Sequence, residues 1–257
     1  MMRNPGRART RSMCALTIVS LVTAACLGWW VGGELSPLYA IHASAMICAW
    51  GLLLPAGAVV ARFFKVTRDQ DFPRVLDNQF WWNWHRFLQY SGMALTMGGF
   101  AAARGAGTSG FSTTHAQIGL IVVALCFVQV FGGLLRGTKG GPTDKTLRGD
   151  HYVMSLRRRI FEFVHKFLGW TSLVVAQCAL VTGAAIAGAS DIALAVIGGL
   201  TAIIVLSPIH CAYSGRWIDT YVAIWGHAGP IRKVAAHLVV ENSQAASELA
   251  KLPIEKS

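Results

Sequence analysis

Four histidines, His42, His85, His115 and His165, stand in or at the edge of long uncharged stretches of this chain, one to a stretch. An imidazole so placed can bind a metal through a neutral ring nitrogen, relay a proton, or hydrogen-bond a neighbouring helix. Ionisable groups are costly in an apolar span, so four of them together point to a use. Met46, one turn after His42, offers a thioether, whose ordinary role is packing. His151 falls in a polar loop, His210 closes an apolar run without a facing partner, and His227 and His237 lie in the final stretch. These four read as solvated or interfacial.

The elements that must position the histidines follow from composition. With 54% hydrophobic and only 14% charged residues in 257, the chain is too apolar for one or two soluble domains. Its charges cluster and leave six runs, 13–31, 38–60, 80–103, 114–135, 160–188 and 192–211. At ~1.5 Å rise per residue each covers or nearly covers the ~30 Å hydrocarbon core as a helix. No barrel-type alternation is present. The expected fold class is an all-α integral membrane helical bundle of about six transmembrane helices, with a four-helix core that carries the histidines.

The first run follows Arg3, Arg7, Arg9 and Arg11 and could be read as a signal peptide. Its uncharged length through Trp29, Trp30 and Val31 favours a retained helix with an interfacial aromatic end. The +11 charge is a topology signal and not a nucleic-acid footprint. Lys and Arg gather in the N-terminal arm, in 62–74, in 136–159 and after Gly215, whereas the alternate loops are nearly bare. By the positive-inside rule both termini and the basic loops are expected to be cytoplasmic. Six cysteines, with no CxxC or CxxCH, read as small packing residues, which disfavours disulfides, zinc ribbons and covalent haem attachment. The expected organisation is 1–37 for the basic arm and first helix, 38–212 for the histidine-bearing core and 213–257 for a cytoplasmic tail.

Each of the four histidines falls near the start of its helix, and successive helices run in opposite directions. His42 and His115 therefore lie near the outer face, His85 and His165 near the inner face. The pairing needs only the helix count and is independent of absolute orientation. One imidazole above and one below a porphyrin plane give six-coordinate iron, which suits electron transfer. The two irons are expected ~15–18 Å apart along the normal of a ~30 Å core. Haem propionates would need cations, and Arg86, Lys166, Arg136 and Lys139 lie on the inner side, where each could equally snorkel to headgroups. Trp81, Trp82 and Trp84 read as an aromatic belt first and a relay second. Gly51, Gly92, Gly99, Gly119 and Gly169 would admit either flat macrocycles or close helix packing.

The run HASAMICAWGLLLPAGAVVARFFK from His42 resembles the opening helix of the haem core in the cytochrome b561 family, closest to the DOMON-associated and proteobacterial types. Similar echoes are DNQFWWNWHRFLQYSG around His85, THAQIGLIVVALCFVQVFGGLLRGTKGG at His115, FEFVHKFLGW around His165 and RWIDTYVAIWG after the sixth run. The resemblance covers 38–226. It implies two b-type haems held by histidines of alternate helices, and electrons passed from a donor on one face to an acceptor on the other. Ferric-reductase-like activity is one form this could take.

Family members that use ascorbate carry basic residues just ahead of the inner histidine; here Asn83 and Trp84 stand there and only Arg74 lies upstream in that loop, which disfavours ascorbate. A quinol or a periplasmic redox protein stays open as partner, as does a homodimer within the lipid. No DOMON module is present in the sequence, so an external haem partner is expected to be a separate protein. The alternative from the residues alone is a haem-free transporter or metal-ion or proton channel using the intramembrane histidines, weakened by the absence of carboxylates from the middle of the central spans and of a broken-helix signature in two halves. A quinol-linked cytochrome with two ligands on one helix is disfavoured by one histidine per helix.

Overall fold

The computed structural model describes residues 5–32, 35–107, 110–146 and 148–227. Arg3, His237 and most of the expected tail lie outside them. The described elements are helical: α1 (Pro5–Gly32), α2 (Pro37–Cys48), a π turn (Ala49–Leu53), α3 (Leu54–Phe63), α4 (Gln79–Gly105), α5 (Thr114–Leu135), α6 (Asp150–Val153), α7 (Leu156–Ile186), α8 (Asp191–Tyr213) and α9 (Thr220–Trp225). α2, the π turn and α3 form one continuous rod, Pro37–Phe63.

Four helices are long and apolar enough to cross a membrane: Pro37–Phe63, Thr114–Leu135, Leu156–Ile186 and Asp191–Tyr213. α4 is comparably long but less apolar, because it carries polar and small residues that its neighbours absorb. Gln89 Nε2 donates to the Leu54 carbonyl at 3.0 Å, and the Thr96 hydroxyl donates to the Gly92 carbonyl at 2.8 Å. Gly92 faces Leu54 so closely that a Cβ would meet its side chain at 2.6 Å, and the same close approach joins α1 to α2 where Gly28 meets the Ser44 backbone. Gly92 thus serves helix packing, while Gly119 has open space beside it.

Helix starts set the height of each histidine, and the sequence marks them with side-chain caps. Ser36, Asn78, Thr113, Ser155 and Ser190 each accept a hydrogen bond from a first-turn N–H of α2, α4, α5, α7 and α8. The Ser155 cap begins α7 at Leu156, earlier than the run from 160, so His165 stands between two and three turns into its helix. Gly188, at φ +72, closes the tight α7–α8 connection that L side chains rarely tolerate.

At the basic end, the segments 64–78, 137–155 and 214–227 fold over the bundle as a cap. Asp77 N–H donates to the Ala223 carbonyl at 3.0 Å, and Lys65 Nζ donates to the Ile218 carbonyl at 3.0 Å. Tyr152 meets Trp225 edge to face at 4.8 Å, and Ile224 is fully buried against Trp81 and Val60. The stretch after α8 is therefore packed structure through at least Trp225. Lys139 forms a buried ion pair with Asp77 at 2.5 Å, and Thr143 bonds the other oxygen of that carboxylate. Lys139 is committed to the cap and is not a free cation for an anionic group.

Candidate functional site: two histidine pairs

The structure brings the four histidines together in two couples. The rings of His42 and His115 have centroids 6.0 Å apart and planes at 84°. Those of His85 and His165 are 6.2 Å apart, also at 84°. Metal–imidazole bonds of about 2 Å on either side of one ion, plus roughly 1 Å from each nitrogen to its ring centre, give about 6 Å between centroids.

Three of the rings are held by backbone carbonyls. His42 Nδ1 donates to the Gly99 oxygen at 2.9 Å, His85 Nδ1 to Gly57 at 3.0 Å, and His115 Nδ1 to Ala179 at 3.0 Å. A carbonyl can only accept, so Nδ1 carries the proton and Nε2 presents its lone pair, the tautomer a metal requires. His165 differs: one arm of the Gln129 side-chain amide lies 2.8 Å from its Nδ1.

These partners obey a register. His85 to Gly99 on α4, His115 to Gln129 on α5 and His165 to Ala179 on α7 are each fourteen residues apart, ~21 Å of helix at ~1.5 Å per residue. His42 to Gly57 is fifteen, and the rod between them contains the π turn, which absorbs one extra residue. Each helix thus carries one imidazole and, at the other level, the group that holds a neighbour's imidazole. α2–α3 and α4 exchange such bonds, as do α5 and α7.

The His85–His165 couple borders a cavity of ≈ 460 Å³, of the size that takes a cofactor (~300–1,000 Å³), lined by Trp50, Leu54, Gly133, Gly169 and Trp170 among others. Trp50 is buried, and its Nε1 has no partner among the described residues. The rim is cationic. Arg136 stands 4.2 Å over the Trp82 ring, and Arg86 rests 5.6 Å over Trp82 and 5.9 Å over Tyr90. Lys166 pairs with Glu162 at 2.9 Å. Burial first, then the charges of Arg158 and Arg86, bring Arg136 down to about 10. Burial, then Arg62 and Lys166, bring Lys65 down to about 8. Cations crowded around Arg136 and Lys65 in this way make the rim a place for an anion.

Among the described residues no group of three or more His, Cys, Asp or Glu could hold a bare metal ion. Beside the His42–His115 couple, a Cβ on Gly183 would lie 2.7 Å from His115 Cε1, so that glycine makes room for the ring. Met46 packs into the core between α2 and α4, its methyl 3.1 Å from where a Cβ on Gly99 would lie. His151 is buried, not solvated, with Nδ1 2.9 Å from Glu162 Oε1, whereas His210 and His227 are exposed.

Over 152 residues, 58% of its length, the chain is 32% identical to a cytochrome b561, DM13 and DOMON domain-containing protein of Arabidopsis thaliana, 15% of which it covers. It is 32% identical over 129 residues to a cytochrome b561 and DOMON domain-containing protein of the same plant, covering 30% of it. Human ferric-chelate reductase 1 is 30% identical over 143 residues, with 24% of its length covered. These likenesses support the cytochrome b561 family. The chain spans less than a third of each of these relatives. No family profile matches it, and no solved structure does.

Within this cytochrome b561-like chain the residues left unread from sequence are Gly57, Gly99, Ala179 and Gln129. A backbone carbonyl has no letter of its own; the fourteen-residue recurrence is the signal that could have found them.

Proposed function

We propose that the chain is a di-haem b-type cytochrome of the DOMON-associated kind that carries electrons across a membrane. In this reading His42 and His115 hold one haem and His85 and His165 the other. The observation that carries it is two imidazole couples at 6.0 and 6.2 Å, with three of the four rings fixed by carbonyls in the metal-binding tautomer. When bound, each haem supplies a one-electron ferric–ferrous couple. The chain's own side chains fix the height, tilt and tautomer of the ligands, and Trp50, Leu54 and Leu173 keep water from the space between the levels. Arg86 and Arg136, held on aromatic faces at the cavity rim, are the residues to receive the propionates of the inner haem; Lys166, already paired with Glu162, contributes less.

The basic cap supports a cytoplasmic face for the inner couple and a bacterial inner membrane as the setting. Electrons then pass between a donor on one face and an acceptor on the other, and the reductase names among the relatives favour a ferric chelate as one acceptor to assay. The purified chain is expected to show a b-type spectrum with two haems per polypeptide by pyridine haemochrome. His85→Ala and His42→Ala should each remove one. A wild-type chain that purifies folded but without haem would overturn the reading.

A further inference from the structure

The four ligand rings are not held alike. Gln129 reaches His165 with an amide, and an amide has two faces. One arm lies 2.8 Å from His165 Nδ1 and 3.0 Å from the His165 carbonyl oxygen; the other lies 3.3 Å from the Gly169 nitrogen. With its nitrogen on the first arm, Gln129 donates both to the carbonyl and to Nδ1, and the ring proton sits on Nε2, where it blocks a metal. With its oxygen there, Nδ1–H donates to Gln129 and the Nε2 lone pair is free. Gly57, Gly99 and Ala179 offer no such choice, since a peptide carbonyl cannot turn within its helix.

We infer that Gln129 is the positioning residue that sets the tautomer of His165, and that the inner haem is therefore tuned by a side chain where the outer haem is held by backbone alone. This rests on the di-haem reading above. An amide turn is a rotation about one side-chain bond, whereas the other three rings are fixed as firmly as the helices. The metal-binding orientation is favoured once iron takes Nε2, and the opposite one without it, because the His165 carbonyl then gains a donor. The cations Arg136 and Arg158 line the same cavity, so a carboxylate at 129 would be stabilised there. It would accept from Nδ1–H and make the ligand more basic.

The test uses the full chain in detergent and reads haem loss to excess apomyoglobin, together with the two midpoint potentials from a redox titration. The component missing in His85→Ala identifies the inner haem. Gln129→Leu should speed loss of that haem roughly 10–100-fold, the usual effect of removing a ligand's hydrogen-bond partner, and leave the outer haem unchanged. Gln129→Glu should slow its loss relative to Gln129→Leu and move its midpoint negative. Two haems in the wild type, with neither rate nor potential altered selectively in either variant, would overturn the role of Gln129 and leave the di-haem reading standing. A wild type that carries no haem overturns both.

Discussion

At the scale of single residues, the site depends as much on what is missing as on what is present. Gly183 has no Cβ, and the His115 ring fills the place where one would be. Gly183→Val should push that imidazole out of line with His42, halve the haem content and leave the inner haem's spectrum intact, at a stability cost of about 1–3 kcal/mol for the overpacked contact. Haem stoichiometry with resolved potentials checks this; loss of the inner haem instead would show that the two levels do not act separately. His151 shows how far a residue's letter can be read. It lies in a polar loop of the sequence, yet packs against Glu162 and Tyr221 because the cap folds over it.

Among elements, the π turn interrupts the α2–α3 rod, and the register gives it a purpose. Three helices separate imidazole and anchor by fourteen residues; the fourth has fifteen and one wide turn. Deleting Gly51 should convert that turn to ordinary α-helix while keeping His42 and Gly57 in phase, and two haems should remain. Inserting one alanine after Ala94, in α4, should rotate Gly99 about 100° away from His42 and cost the outer haem. Haem content of the two variants decides: if the deletion loses a haem, the turn serves something other than register.

For the whole molecule, the apolar runs and their alternating direction suffice to locate the helices and to bring His42 to His115 and His85 to His165. A 3.6-residue helix of known length has few alternatives in a bilayer. What escaped the reading was made by non-local packing. The cap joins Asp77 to Ala223 and Lys65 to Ile218, pairs separated by some 150 residues that carry no common pattern. Burying Lys65 leaves a measurable trace. Its folded pKa of about 8 lies below the ordinary 10.5, so between those values the native chain binds fewer protons than the unfolded one, and stability rises with pH. The gain is absent below about 8 and amounts to at most about 3 kcal/mol above 10.5. Lys65→Met should lack the rise, as thermal unfolding of the detergent-solubilised protein at pH 8 and pH 10 would reveal; equal slopes in both proteins would refute it.

The reciprocal bonds divide the core into two hairpins, α2–α3 with α4 and α5 with α7, and every histidine couple takes one ring from each. Neither hairpin alone can clasp an iron on both sides. In the proposed holoprotein the porphyrins would act as rivets through two plates that otherwise meet through packing around Trp50 and the Gln177 bond to its carbonyl. Assembly would then answer to cofactor supply almost as a single step, since seating the first rivet aligns the holes for the second.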